Sequence, residues 1–135
     1  MQLPSHMSLS LKMVYQGSKN KLAKDLVPII QNYINQTKTD TYIELFVGGA
    51  NIIDKIECIN KLGFDYNSDL ICLFKYAQND NDLSIAPQDC SFEHYKEVRD
   101  DKKHKKYSQE YRALIGYMAS YGGRYFDDGY ARYNK

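Results

Sequence analysis

The chain has 135 residues, of which 43% are hydrophobic and 26% charged, with 18 Lys and Arg against 17 Asp and Glu. That length suits one domain burying roughly two-thirds of its unfolded surface, and the composition argues against disorder throughout. No run approaches the roughly 20 apolar residues of a membrane helix, no signal-peptide pattern opens the chain, and Cys58, Cys72 and Cys90 lack the spacing of a disulfide framework or a metal site, so the chain reads as soluble and cytoplasmic.

Residues 1–11 carry no charge and no clear period, and read as a loosely ordered leader. Leu22, Leu26, Ile29, Ile30 and Tyr33 recur at spacings of three and four, which predicts a helix over 21–34 with a kink or end at Pro28. Thr41 to Phe46 is a short β-favouring run that stops at Val47-Gly48-Gly49. Ile52, Ile53, Ile56 and Ile59 predict a helix over 51–61, and a second strand follows over 62–66. Asn67, Ser68 and Asp69 offer capping side chains for a helix carrying Leu70, Leu73, Phe74 and Ala77. Strand, glycine turn, helix, strand, helix is the order of an α/β fold with a parallel sheet.

After a polar connection over 79–91, helices are predicted over 92–106 and 107–121, the second with Tyr111, Leu114, Ile115 and Met118 aligned. Gly122 to Tyr130 alternates turn and aromatic residues like a hairpin. This yields three segments: the leader 1–11, an α/β part 12–91 and a mainly helical part 92–135. Charge is uneven along them. Residues 98–135 carry nine Lys and Arg against five acids, and eight of the 13 tyrosines lie beyond position 90. Interleaved basic and aromatic residues suit stacking on bases and touching phosphates, and equally suit a Tyr-rich helical surface. The run Lys102-Lys103-His104-Lys105-Lys106 reads as a solvated helix face rather than a phosphate clamp.

In an open α/β sheet the ligand crevice lies at the carboxyl ends of the strands. The turn from Phe46 to Asn51 ends the first strand there, and its glycines let a ligand approach the backbone. Asp65 ends the second strand, where a carboxylate can accept both hydroxyl protons of a ribose. The loop is neither G-x-G-x-x-G nor a P-loop, which disfavours a pyrophosphate ligand such as NAD; S-adenosylmethionine has a ribose and no phosphate. An ordinary strand-to-helix turn beside a helix-capping Asp fits the same residues.

Three segments narrow the choice: Val14-Tyr15-Gln16-Gly17-Ser18-Lys19, Glu44-Leu45-Phe46-Val47-Gly48-Gly49-Ala50-Asn51, and Phe64-Asp65-Tyr66-Asn67-Ser68-Asp69-Leu70-Ile71. Together, and in this order, they resemble the Dam/DpnM-like DNA adenine-N6 methyltransferases. A fourth segment, Ser120 to Phe126 with Gly129 to Arg132, is similar to the target-recognition region of phage-type members. The resemblance implies a partial Rossmann-like S-adenosylmethionine-binding sheet followed by a helical start of the recognition region, acting on double-stranded DNA in a bacterial or phage-infected cell. It implies that Tyr15, Gly17, Lys19, Glu44, Phe46, Gly48 and Asp65 line the cofactor pocket, with Lys19 on the methionine carboxylate and Asp65 on the ribose. It further implies that Tyr121, Arg124, Tyr125 and Arg132 touch DNA.

One departure is large. The family's catalytic [Asp/Asn]-Pro-Pro-[Tyr/Phe/Trp] motif is absent, since Pro4, Pro28 and Pro87 are the only prolines. In the family that motif follows the recognition region, so no catalytic residue is assigned and the chain is expected not to methylate alone. In the family fold the strand around 41–46 pairs with the strand carrying that motif. Its absence implies an open edge that self-association or a second polypeptide would complete. Two readings follow: the N-terminal part of a DNA adenine methyltransferase, or a catalytically inactive relative that binds cofactor, DNA or protein.

Overall fold

The computed structural model describes residues 1–3, 14–79, 84–127 and 129–131, with the backbone of 133 and 134. These residues form an α/β protein with four α-helices and a small mixed three-stranded sheet. They divide into two compact units, one of residues 1–3 and 17–66, the other of 14–16 and 67 onward.

The first unit is built on the sheet, in the order β1 (Gln2–Leu3), β3 (Asn60–Gly63), β2 (Thr41–Glu44). β2 and β3 run parallel, with Thr41 opposite Asn60 and Glu44 opposite Gly63, as expected of strands joined by a long crossover. β1 pairs antiparallel with the other side of β3, so Gln2 and Leu3 of the expected loose leader form a strand. The reason is burial: Leu3 is 1% exposed, and the N-terminal ammonium donates to the Gly63 carbonyl at 2.7 Å. Covered on both edges, β3 also buries Lys61, whose ammonium is pushed down in pKa by that burial and held up in part by Asp54, Cys58 and Glu57.

Helix α1 (Asn20–Thr37) continues through Pro28, at an exposed position where water can reach the carbonyl that proline leaves without a helical donor. The face it buries is not the one the sequence stripe suggests. Ala23 and Ile34, with Val27 and Ile30, pack on Ile52, Ile56 and Cys58. Leu22, Leu26, Ile29 and Tyr33 lie exposed, the last two at 67% and 65%. This second apolar face adjoins the edge of β2, where Ile43 is 52% exposed, and the two enclose a cleft of about 390 Å³ walled by Ile29, Tyr33, Tyr42 and Ile43.

The helix expected over 51–61 reduces to one 3-10 turn, Ile53–Lys55. β-Branched isoleucines form helix poorly, and the chain is extended again at Ile56, with ψ 132°. Ile52, Ile53 and Ile56 are still buried as the stripe requires, whereas Ile59 is 73% exposed.

The second unit opens with α2 (Ser68–Asn79), capped by Asn67, whose Oδ1 accepts from the amides of Asp69 (3.0 Å) and Leu70 (3.4 Å). Its buried Leu73 packs on Ala113 and Leu114 of α4 (Gln109–Met118), so the division falls between Tyr66 and Asn67 rather than after residue 91. Helices α3 (Phe92–Asp100) and α4 start at Ser91 and Ser108, whose hydroxyls accept from the amides of His94 and Tyr111. Both end earlier than their sequence patterns. After α3 the Asp101 carboxylate accepts from the amides of Lys105, Lys106 and Tyr107, each at 2.9 Å, which folds the basic run into a turn and not a helix face. Strand β4 (Asp89–Cys90) pairs antiparallel with β5 (Tyr133–Asn134).

If β1 is integral to the sheet, Leu3→Ala lowers unfolding free energy by ~2–5 kcal/mol, the usual cost of truncating a buried leucine. Urea denaturation measures this, and a loss within error of zero would show that the leader is dispensable.

Candidate functional site

The parallel pairing carries both strand tips to the same end of the sheet. After β2 the chain turns through Val47, whose amide donates to the Phe64 carbonyl at 2.8 Å. Gly48 follows with φ 50°, a left-handed conformation that disfavours a side chain. Its amide donates to Oδ2 of Asp65 at 2.9 Å. The glycine turn and the acid after the second strand, 17 positions apart, are therefore bonded neighbours.

Beneath this rim lies Glu44, 7% exposed. Its Oε1 accepts from the Lys19 ammonium at 2.5 Å and its Oε2 from the Ile53 amide at 2.9 Å. Lys19 also donates to the Phe46 carbonyl. One carboxylate thus ties the segment before α1, the end of β2 and the 3-10 turn into a unit. Lys19, expected on a ligand carboxylate, spends two of its three N–H groups on the protein. The nearby Tyr42 phenol is raised to about 12, first by burial and then by the Glu44 charge and hydrogen bond.

Other expected cofactor residues fall as follows. Gly17, with φ 77°, forms the turn before Lys19, and Ser18 donates to Asn51 at 2.6 Å across the same rim. The Phe46 ring is 76% exposed. Tyr15 belongs to the second unit, with its ring stacked on Tyr117 at 5.5 Å. Two exposed rings not anticipated from sequence flank Asp65 in the chain: Phe64, at 48%, and Tyr66, wholly exposed. Their position beside the acid was the available signal.

In the second unit the 119–131 stretch closes as a wide loop instead of a tight hairpin. Ala131 donates to Ala119 at 2.8 Å, Tyr121 donates to Gly129 at 2.9 Å, and Ser120 bridges Tyr130. Tyr121 is 67% exposed and Arg124 is exposed as well. Tyr125 departs from the expected role of DNA contact. Its hydroxyl lies between Asp69 and Arg112, and its ring packs on Tyr117 and Phe126 at 4.8 and 4.9 Å. Burial, then the hydrogen bond and charge of Asp69, raise this phenol far above its usual pKa. Asp69 is the residue the sequence undervalued: read as a helix cap, it is 6% exposed and paired with Arg112 at 2.6 Å. Burial would raise its pKa, but hydrogen bonds from Tyr125, Gln109 and Arg112 and the Arg112 charge prevail and hold it low. Arg132 lies outside the described residues.

Among the described residues no group of three or more His, Cys, Asp or Glu is placed to hold a metal ion, and no helix is long and apolar enough to cross a membrane. No curated protein and no solved structure matches the chain. A family model for D12 class N6 adenine-specific DNA methyltransferase does match it, over residues 15–121, a span that includes the Gly48 turn, Asp65 and Tyr121. A match across most of the chain, taking in the rim where Gly48 meets Asp65, places it in a family: this protein belongs to the D12 class N6 adenine-specific DNA methyltransferases.

Proposed function

We propose that the first unit is the S-adenosylmethionine half-site of a DNA adenine-N6 methyltransferase, built as part of a Rossmann-like sheet, and that the second contributes to DNA recognition. The observation that carries the reading is the hydrogen bond from Gly48 to Asp65 at the parallel strand tips. A carboxylate at a parallel strand tip is the acceptor that vicinal ribose hydroxyls call for. The exposed Phe46 and Tyr66 rings supply faces for a purine. Glu44 and Lys19 act underneath, fixing the turn rather than touching the ligand. The donor set therefore suits an adenosyl group, which when bound would bring an electrophilic methyl on a sulfonium. With no Pro-Pro pair in the sequence, no side chain is in hand to hold an adenine amino group, and the isolated chain binds without transferring methyl.

On this reading Asp65→Ala weakens S-adenosylmethionine binding about tenfold or more, the order for losing a charge-assisted hydrogen bond. Circular dichroism should stay unchanged, because a rim carboxylate adds little to the core. Calorimetry giving equal affinities would remove Asp65 from the site.

Tyr121 and Arg124 are the DNA contacts that the geometry favours, one for stacking and one for a phosphate. Arg124→Ala then weakens binding to duplexes of different sequence alike and reduces the slope of log affinity against log salt by about 1. An unchanged slope would take Arg124 off the phosphate backbone.

The edge of β2, unpaired among the described residues, with the exposed face of α1 beside it, is the surface on which a further chain completes the sheet. A strand added there gains backbone hydrogen bonds and covers Ile29, Tyr33 and Ile43 together. The isolated chain therefore self-associates at tens of micromolar, and sedimentation as a clean monomer would count against this surface.

A further inference from the structure

Asp65 and Asp69 belong to one short motif, yet the structure uses them differently. Asp65 meets the glycine turn, whereas Asp69, in the first turn of α2, is the centre of a buried polar cluster. Its carboxylate accepts from Arg112 Nη1 at 2.6 Å, from Gln109 at 2.9 Å and from the Tyr125 hydroxyl, with His104 Nε2 3.5 Å away. Arg112 also donates to the Tyr125 hydroxyl at 2.6 Å and to the Arg99 carbonyl at 3.1 Å. Its guanidinium carbon lies 4.8 Å from the Phe126 ring centre and 5.5 Å from that of Tyr125. Burying both members of an ion pair costs heavily in desolvation, and apolar packing would close the same space more cheaply.

What the cluster holds is a turn that the backbone would otherwise avoid. Tyr125 and Phe126 both have positive φ, 27° and 64°, where large L-residues are rare. Their rings fit only because position 116 is glycine: a Cβ there would lie 2.5 Å from the Tyr125 ring and 2.7 Å from the Phe126 ring. The Phe126 amide donates to Ser120 Oγ at 2.8 Å, and the Asp127 amide donates to the Arg124 carbonyl at 2.8 Å. Two consecutive strained residues are thus pinned by their side chains, while Tyr121 and Arg124, just before them in the chain, are exposed.

We propose that Asp69 and Arg112, acting through the Tyr125 hydroxyl, are positioning residues that lock the 121–127 turn so that Tyr121 and Arg124 are preorganised for DNA. The proposal rests on the DNA contacts assigned above. Its consequence is that the ordering entropy of the turn is spent during folding, not at the moment of binding.

The chain has no tryptophan, so Tyr121→Trp places a single indole fluorophore in the turn while keeping an aromatic ring. In that background Tyr125→Phe removes only the hydroxyl, and Asp69→Asn removes the charge. Time-resolved anisotropy of the indole introduced at position 121 and affinity for duplex DNA are measured well below the melting temperature. The expected result is a marked loss of the slow anisotropy component in both variants, with DNA affinity down about tenfold, the order of immobilising two side chains on binding. If Asp69→Asn does not fold, Tyr125→Phe decides alone. Unchanged anisotropy would overturn the lock, leaving the cluster a stabilising contact only. Lost anisotropy with unchanged affinity would overturn its link to DNA. If the unsubstituted chain fails to bind duplex DNA at all, the DNA reading itself falls, whatever the anisotropy shows about the lock.

Discussion

A single hydrogen bond, from the Gly48 amide to the Asp65 carboxylate, organises the candidate cofactor rim. It exists because β2 and β3 are parallel neighbours in register, so the residues following Glu44 and Gly63 emerge side by side. An antiparallel pairing of the same strands would send the glycine turn and the acid to opposite ends. The bond also accounts for the glycine, since a left-handed backbone is needed to aim that amide at its neighbour. Glu44 then acts as the support of the rim, holding Lys19 on one oxygen and the 3-10 turn on the other. A buried carboxylate with both oxygens occupied makes a rigid base and a poor ligand contact, which shifts the proposed binding role to Asp65 and the exposed rings.

The second unit repeats this economy with different chemistry. There the polar centre is Asp69 with Arg112, and what it supports is a loop rather than a strand tip. In both units a buried charged group organises backbone that could not hold its shape through local propensity. In both, the side chains proposed to meet a ligand are exposed, Phe46 and Tyr66 in the first unit and Tyr121 and Arg124 in the second. Such a division keeps reactive surfaces polar and accessible while rigidity comes from the layer below.

The apolar surface of the first unit has a different meaning. Helix α1 carries two apolar faces, and Ala23, Val27, Ile30 and Ile34 pack on Ile52, Ile56, Cys58 and Tyr42. Leu22, Leu26, Ile29 and Tyr33 are exposed, and Ile29 and Tyr33 wall a cleft with Ile43 at the edge of β2. A folded chain seldom maintains so contiguous an exposed patch without an interaction to cover it.

Much of this was legible in the sequence, for reasons that can be named. The order read from the sequence, strand, glycine turn, helix, strand and helix, pointed to parallel pairing although its first helix is only a 3-10 turn, and such pairing brings the glycine turn and the acid after the next strand to one end of the sheet. The capping role of Asn67 and the burial of Ile52, Ile53 and Ile56 were likewise local matters of side-chain type and spacing. What tertiary structure decided was which of two competing partners each group took. Periodicity shows that α1 has apolar stripes, but only the packing of Ile52, Ile56 and Cys58 against it determines which stripe is buried. A lysine such as Lys19 suits a protein carboxylate and a ligand carboxylate equally, and Glu44 lies nearer. Asp69 could cap a helix or pair with an arginine 43 positions away, and the choice depended on α4 packing against α2, a contact with no local signature. Short-range chemistry is written along the chain; pairings between distant polar groups are settled only when desolvation forces each to find its complement.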